Sequence, residues 1–89
     1  MRKKKLFCRK WLHCADGSQM RVDYFTLEDR GRISGVEIQS LRNGQREEAK
    51  AEGLPLVPEK IGELLSLLSR NTVTACALEE IVAEQMNKF

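Results

Sequence analysis

Three short runs of turn-forming residues cut the first half of this chain at regular intervals, and they limit its fold more than any other feature. Asp16-Gly17 lies between alternating segments at 6–13 and 19–27, and Asp-Gly supplies the positive φ angles of a type I′ hairpin turn. Glu28-Asp29-Arg30-Gly31 separates the second segment from an alternating run at 33–41, and Asn43-Gly44 leads into 45–52. Consecutive strands joined this tightly form an antiparallel meander. The fourth segment, Arg46-Glu47-Glu48-Ala49-Lys50-Ala51-Glu52, has weak β propensity and also reads as helix, but its charges suit an exposed edge strand.

Two-residue turns fix register. A turn at Asp16-Gly17 sets Trp11 against Val22, Arg9 against Tyr24, Cys8 against Phe25, Leu6 against Leu27 and Lys10 against Asp23. A turn at Asn43-Gly44 sets Ile38 against Ala49, Val36 against Ala51 and Glu37 against Lys50.

Beyond Gly53-Leu54-Pro55-Leu56-Val57-Pro58 the period becomes helical, because the prolines exclude a regular strand or a helix interior. Pro58 fits a first helical turn, and Ile61, Leu64, Leu65 and Leu68 form an apolar stripe. Asn71 suits the helix exit, Thr74 can cap a second helix, and Glu79 and Glu80 favour its N-terminal dipole. That helix should bury Leu78, Ile81, Val82 and Met86, with Val73 and Phe89 at its ends. The expected class is α+β: a four-stranded antiparallel meander followed by two C-terminal helices on one sheet face. With 89 residues the chain makes one domain, comprising a basic tail at 1–5, sheet at 6–52, a linker at 53–57 and a helical hairpin at 58–89.

With helices on one side, the other sheet face stays open. By parity, Leu6, Cys8, Leu12, Phe25 and Leu27 share one face, and Phe7, Arg9, Trp11, Met20, Val22 and Tyr24 the other. Both sets are apolar, where a lone two-layer protein would alternate with polar residues on its solvent side. The helices are expected over the first set, with the reverse assignment left open. Phe7, Arg9, Trp11, Val22 and Tyr24 are then the candidate partner-binding residues, since Trp, Tyr and Arg are favoured interface anchors.

Charge is uneven. Residues 1–46 hold eleven Lys/Arg against five Asp/Glu, and 47–89 hold four against eight. Arg2, Lys3, Lys4, Lys5, Arg9 and Lys10 form a run without an acid, which solubilises an edge or meets phosphates. With Trp11 they define an alternative, nucleic-acid-binding reading.

Few residues suit catalysis or metal. Cys8 and Cys14 share a strand face but lie about 20 Å apart at strand rise, too far for one zinc ion, and adjacent His13 and Cys14 side chains diverge. Cys8 and Cys76 are expected as small buried hydrophobes and Cys14 as a thiol beside the turn. No phosphate-cradling glycine loop, cofactor motif or small-molecule site is evident, so a non-enzymatic protein is expected. No apolar run spans a bilayer and no secretory signal is apparent; with three cysteines, which cannot all pair within one chain, a cytosolic protein is expected.

The strand Gly35-Val36-Glu37-Ile38, followed by Glu63-Leu64-Leu65, Leu68, Asn71, Val73, Thr74, Leu78 and Ile81-Val82, resembles a family of short bacterial proteins, mainly from Gram-positive anaerobes, known only as a domain of unknown function. Ser34, Thr74 and Ala75 stand where that family has an aromatic residue, Ser and Pro. The resemblance spans roughly residues 20–85, implies an α+β fold, and carries no activity or functional residue. The expected function is therefore binding of a protein partner, either as a homodimer through the open face or an edge strand, or as a phage or mobile-element inhibitor that covers a partner's surface.

Overall fold

The computed structural model describes residues 2–87, Arg2 by its backbone alone. Strands β1 (Arg2–His13), β2 (Gln19–Asp29), β3 (Arg32–Arg42) and β4 (Gln45–Ala51) form one open antiparallel sheet in chain order. Helix α1 (Pro58–Arg70) follows, then a 3-10 turn (Ala75–Ala77) that runs into α2 (Leu78–Met86). The α+β class and the order of four strands and two helices are as expected, weak fourth strand included. The basic tail is not. Residues 2–5 belong to β1, where Lys3 pairs with Glu28 and Arg2 with Asp29 at the Cα level, because β2 runs on to Asp29 and offers them a backbone ladder.

The turns explain both the successes and the main correction. Arg30-Gly31 and Asn43-Gly44 each have two successive positive φ angles, 54° and 79°, then 51° and 76°, the signature of type I′ hairpins. The second fixes Ile38↔Ala49, Val36↔Ala51 and Glu37↔Lys50 as expected. The first hairpin differs. Gly17 alone has positive φ there, its N–H donates to the Cys14 carbonyl at 3.0 Å, and the Cys14 N–H donates to Ser18 O at 2.8 Å. The loop is thus the three residues Ala15-Asp16-Gly17, and the ladder slips by one: Arg9 faces Asp23, Trp11 faces Arg21 and Cys8 faces Tyr24. A bulge at Phe7 slips it once more, so Leu6 faces Phe25.

A one-residue slip exchanges the faces of a strand. Val22 and Tyr24, expected on the open face, are fully buried under the helices, while Phe25 and Leu27, expected beneath them, lie on the uncovered face beside Lys4. Arg9 and Trp11 keep their expected side, as do Cys8 and Leu12, which pack against the core. From the helices, Ile61, Leu64, Leu65, Leu68, Ala75, Leu78 and Val82 close over Val22, Tyr24, Val36 and Ile38. Ile81, Val73 and Met86 are half-buried around them; Phe89 lies outside the described residues. At Gly35 a side chain is impossible, since a Cβ would fall on the Ala51 carbonyl oxygen. Bare backbone there lets β3 close against the end of β4, and the Leu54 N–H then donates to Ser34 O at 2.9 Å.

The joint between the helices is pinned to the sheet. Helix α1 leaves through a Schellman motif, with the Val73 N–H donating to Leu68 O (2.9 Å) and the Thr72 N–H to Ser69 O (3.1 Å). Thr72 takes the left-handed position at φ 51° that glycine usually fills. Tyr24 Oη then donates to Val73 O at 2.9 Å, and the Ala75 N–H donates to Ser40 Oγ at 3.3 Å. Thr74 occupies the N-cap of the 3-10 turn, but its hydroxyl makes no capping bond and lies 3.3 Å from Cys76 Sγ.

Two outcomes are expected. Thr72→Gly should stabilise the fold by about 1 kcal/mol, because a β-branched side chain in left-handed backbone costs about 1–2 kcal/mol; chemical denaturation reads this. Burial, and then the charge of nearby Cys8, push the Tyr24 phenol up to about 12 from 10.0. The unfolded chain releases that proton first, so stability should be level below pH 10 and fall as pH rises through 12. Tyr24→Phe should remove that decline and cost about 1–2 kcal/mol at neutral pH for the orphaned Val73 carbonyl.

Candidate functional site

The uncovered sheet face is built from alternate residues of all four strands, and its polar groups are paired in rows across the ladder. In one row Asp23 is 3% exposed although no helix covers it. Arg9 lies along it with Nε 2.8 Å from Oδ1 and Nη2 3.3 Å from Oδ2, a two-point grip suited to guanidinium and carboxylate. Arg21 Nε lies 3.4 Å from Oδ2 on the other side, as an ion-pair contact without hydrogen-bond geometry. The hydrogen bond to Asp23, then its charge, push the Arg9 guanidinium further up from its already high range. In the next row Glu37 is also buried: Lys4 Nζ (3.1 Å) and Gln39 Nε2 (2.6 Å) both donate to its Oε2. The same ammonium stands 4.9 Å from the Phe25 ring centroid. Long cationic side chains thus roof both carboxylates by laying their apolar stems over the sheet.

Apolar side chains interrupt these rows. Trp11 is 60% exposed and Leu6 45%, both on β1, with Phe25, Leu27 and Leu41 half-buried beside them. On β4, Arg46 pairs with Glu48 at 3.2 Å and Lys50 with Glu52 at 3.5 Å.

Of the expected partner-binding set, this face holds Arg9 and Trp11. Phe7 sits at the β1 bulge, 44% exposed, lining a groove with Pro58 and Gly62 of α1. Val22 and Tyr24 form no surface at all, being sealed in the core by the slipped register. Sequence reasoning missed Asp23, Phe25, Leu27 and Glu37 here; a three-residue reading of the first turn was the available signal for the first three, while Glu37 joins them through the register shift between β2 and β3. The expected phosphate-binding set is divided, with Lys4 and Arg9 committed to carboxylates on one face and Lys3, Lys5 and Lys10 on the other. The Arg2 side chain lies outside the described residues.

The cysteines are dispersed. Cys8 packs half-buried against the core and Cys14 half-buried at the turn. Cys76, expected inside, is exposed because the 3-10 turn directs Ala75 inward instead. Next to His13 and Cys14, Asp16 is held down to about 2 by the Ser18 hydroxyl and backbone N–H and then by Arg42, whose Nη2 donates to it at 2.6 Å. Among the described residues no three His, Cys, Asp or Glu side chains gather as a metal site would require, and no helix is long and apolar enough to cross a membrane.

The fold and face together define a two-layer α+β protein with one bare sheet side. The chain belongs to a family of unknown function, DUF6514, whose model matches residues 3–88 and so includes nearly all of β1. No curated protein and no solved structure matches it.

Asp23→Lys should place a third cation between Arg9 and Arg21 and lower the thermal midpoint; adding Arg9→Glu should recover most of the loss. Equal midpoints for the single and double variants would show that the Arg9–Asp23 pair is not coupled.

Proposed function

We propose that this chain is a non-enzymatic protein-binding module that pairs with a second copy of itself through the uncovered sheet face. The observation that carries this reading is Trp11, the single tryptophan, left 60% exposed on a face whose other charges are already organised. Trp flanked by Arg is a frequent interface anchor, and leaving it in water has no benefit to the isolated fold.

The face is complementary to itself. Rows run Arg9, Asp23, Gln39, Glu48 and Trp11, Arg21, Leu41, Arg46 from β1 to β4. A two-fold axis parallel to the strands lays β1 over β4 of the second copy, bringing Arg9 opposite Glu48, so that the Arg9–Asp23 and Arg46–Glu48 ion pairs join across the interface, and Trp11 opposite Arg46, a cation–π pair. The molecule measures 39 × 30 Å across its broad dimensions, which accommodates the roughly 800 Å² per partner of a stable interface. Nucleic acid is the weaker reading, because Lys4 and Arg9 are already neutralised by Glu37 and Asp23.

Sedimentation of the full chain should show mass rising with concentration toward a dimer, with Trp11 emission shifting to the blue in step. Trp11→Ala should keep the melting temperature and remain monomeric. A monomer at every concentration, or a Trp11→Ala variant that unfolds, would overturn the reading.

A further inference from the structure

Strand β1 offers a second surface, distinct from the face just described. It is the outermost strand, twelve residues long and paired on one side only, so alternate residues direct unpaired N–H and C=O groups outward. Arg2–His13 contains six Lys/Arg and no Asp or Glu. Lys3 and Lys5, and Lys10 beyond the bulge and Cys8, lie on the helix side of this edge, and among the described residues they make no ion pair.

Those lysines select a partner by sign. A second copy of β1 would set Lys against Lys and Arg, a repulsive pairing. The opposite edge, β4, is no better match, since it is seven residues long, balances two acids with Arg46 and Lys50, and offers a single acid, Glu47, on the helix side. An extended segment carrying unpaired acids would gain both the backbone ladder and the cross-strand charge pairs.

A second, independent feature lies beside the edge. A groove of about 330 Å³ runs between the β1 bulge and the start of α1, with Phe7, Ile33, Pro58 and Gly62 among its lining residues. Gly62 is interior to α1, where glycine is disfavoured relative to alanine. Its backbone is not in the left-handed region, and a Cβ there would meet nothing within 4 Å. Neither conformation nor packing within this chain requires glycine; its missing side chain instead leaves the groove open.

We propose that the β1 edge accepts an acidic, extended segment of another protein as a fifth strand, with one apolar side chain of that segment seated in the groove over Gly62. This does not depend on self-association through the Trp11 face.

The test uses the full chain and a fluorescein-labelled peptide of about ten residues, alternating Glu and Val with one central Leu. Anisotropy should show saturable binding that weakens with salt, and amide exchange should slow along β1. Changing Lys3, Lys5 and Lys10 together to Gln should weaken binding by about tenfold, as three lost cross-strand charge pairs imply. Gly62→Leu should fill the groove and weaken binding without lowering the melting temperature, while Trp11→Ala should bind as the parent does. The same peptide with alternate amides N-methylated should not bind. Absence of binding overturns the proposal, as does binding indifferent to both N-methylation and Gly62→Leu, which would be charge attraction alone. Displacement of the peptide by a single-stranded oligonucleotide of equal charge that binds more tightly also overturns it, identifying the edge as a phosphate surface.

Discussion

Whether β2 turns Tyr24 or Phe25 toward the helices is decided by one residue of register at the first hairpin, and the left-handed Gly17 decides it. With Tyr24 inside, its hydroxyl reaches Val73 and ties the joint between the helices to the second strand. Ser40, one strand further, holds the next peptide N–H at Ala75. The helices therefore lie where two sheet side chains receive their connection, and their apolar stripe closes over a surface already chosen by the turn. Had the ladder stood one residue over, a phenylalanine without a donor would face the joint and the Val73 carbonyl would lack its partner.

The same register organises the outer side. Arg9 rather than Lys10 meets Asp23, and a guanidinium can grip both carboxylate oxygens where an ammonium would act as a point charge. The pair buries a carboxylate on a face without helices, and Lys4 does likewise for Glu37 with help from Gln39. Charges that look like a diffuse basic run in the sequence are thus divided into those spent on the sheet and those left for its margin.

Much of this fold was legible. Helical periodicity identified Ile61, Leu64, Leu65 and Leu68, all buried, and Asn43-Gly44 placed the last hairpin in register because both residues accept positive φ. Asp16-Gly17 misled because Asp-Gly serves a two-residue turn and the end of a three-residue one equally well; only the ladder distinguishes them. Residues 2–5 lacked apolar alternation and read as a tail, since what makes them strand is the backbone ladder to residues 26–29, more than twenty positions away. Arg9 and Trp11 were found on the candidate face from the sequence because the parity of β1 beyond the bulge was right. Asp23, Phe25 and Leu27 were not, because their side depended on the slipped partner. Gly62 carried no signal in the sequence, its position inside a helix being informative only once the space around it was known.

The two margins of the sheet are unequal. One is twelve residues long and uniformly basic; the other is seven residues long and balances its own signs. Endless stacking of copies edge to edge requires each margin to find its match on the next molecule, and these two do not match. A sheet built this way can be extended once and then terminates, so an unprotected ribbon border need not lead to fibres.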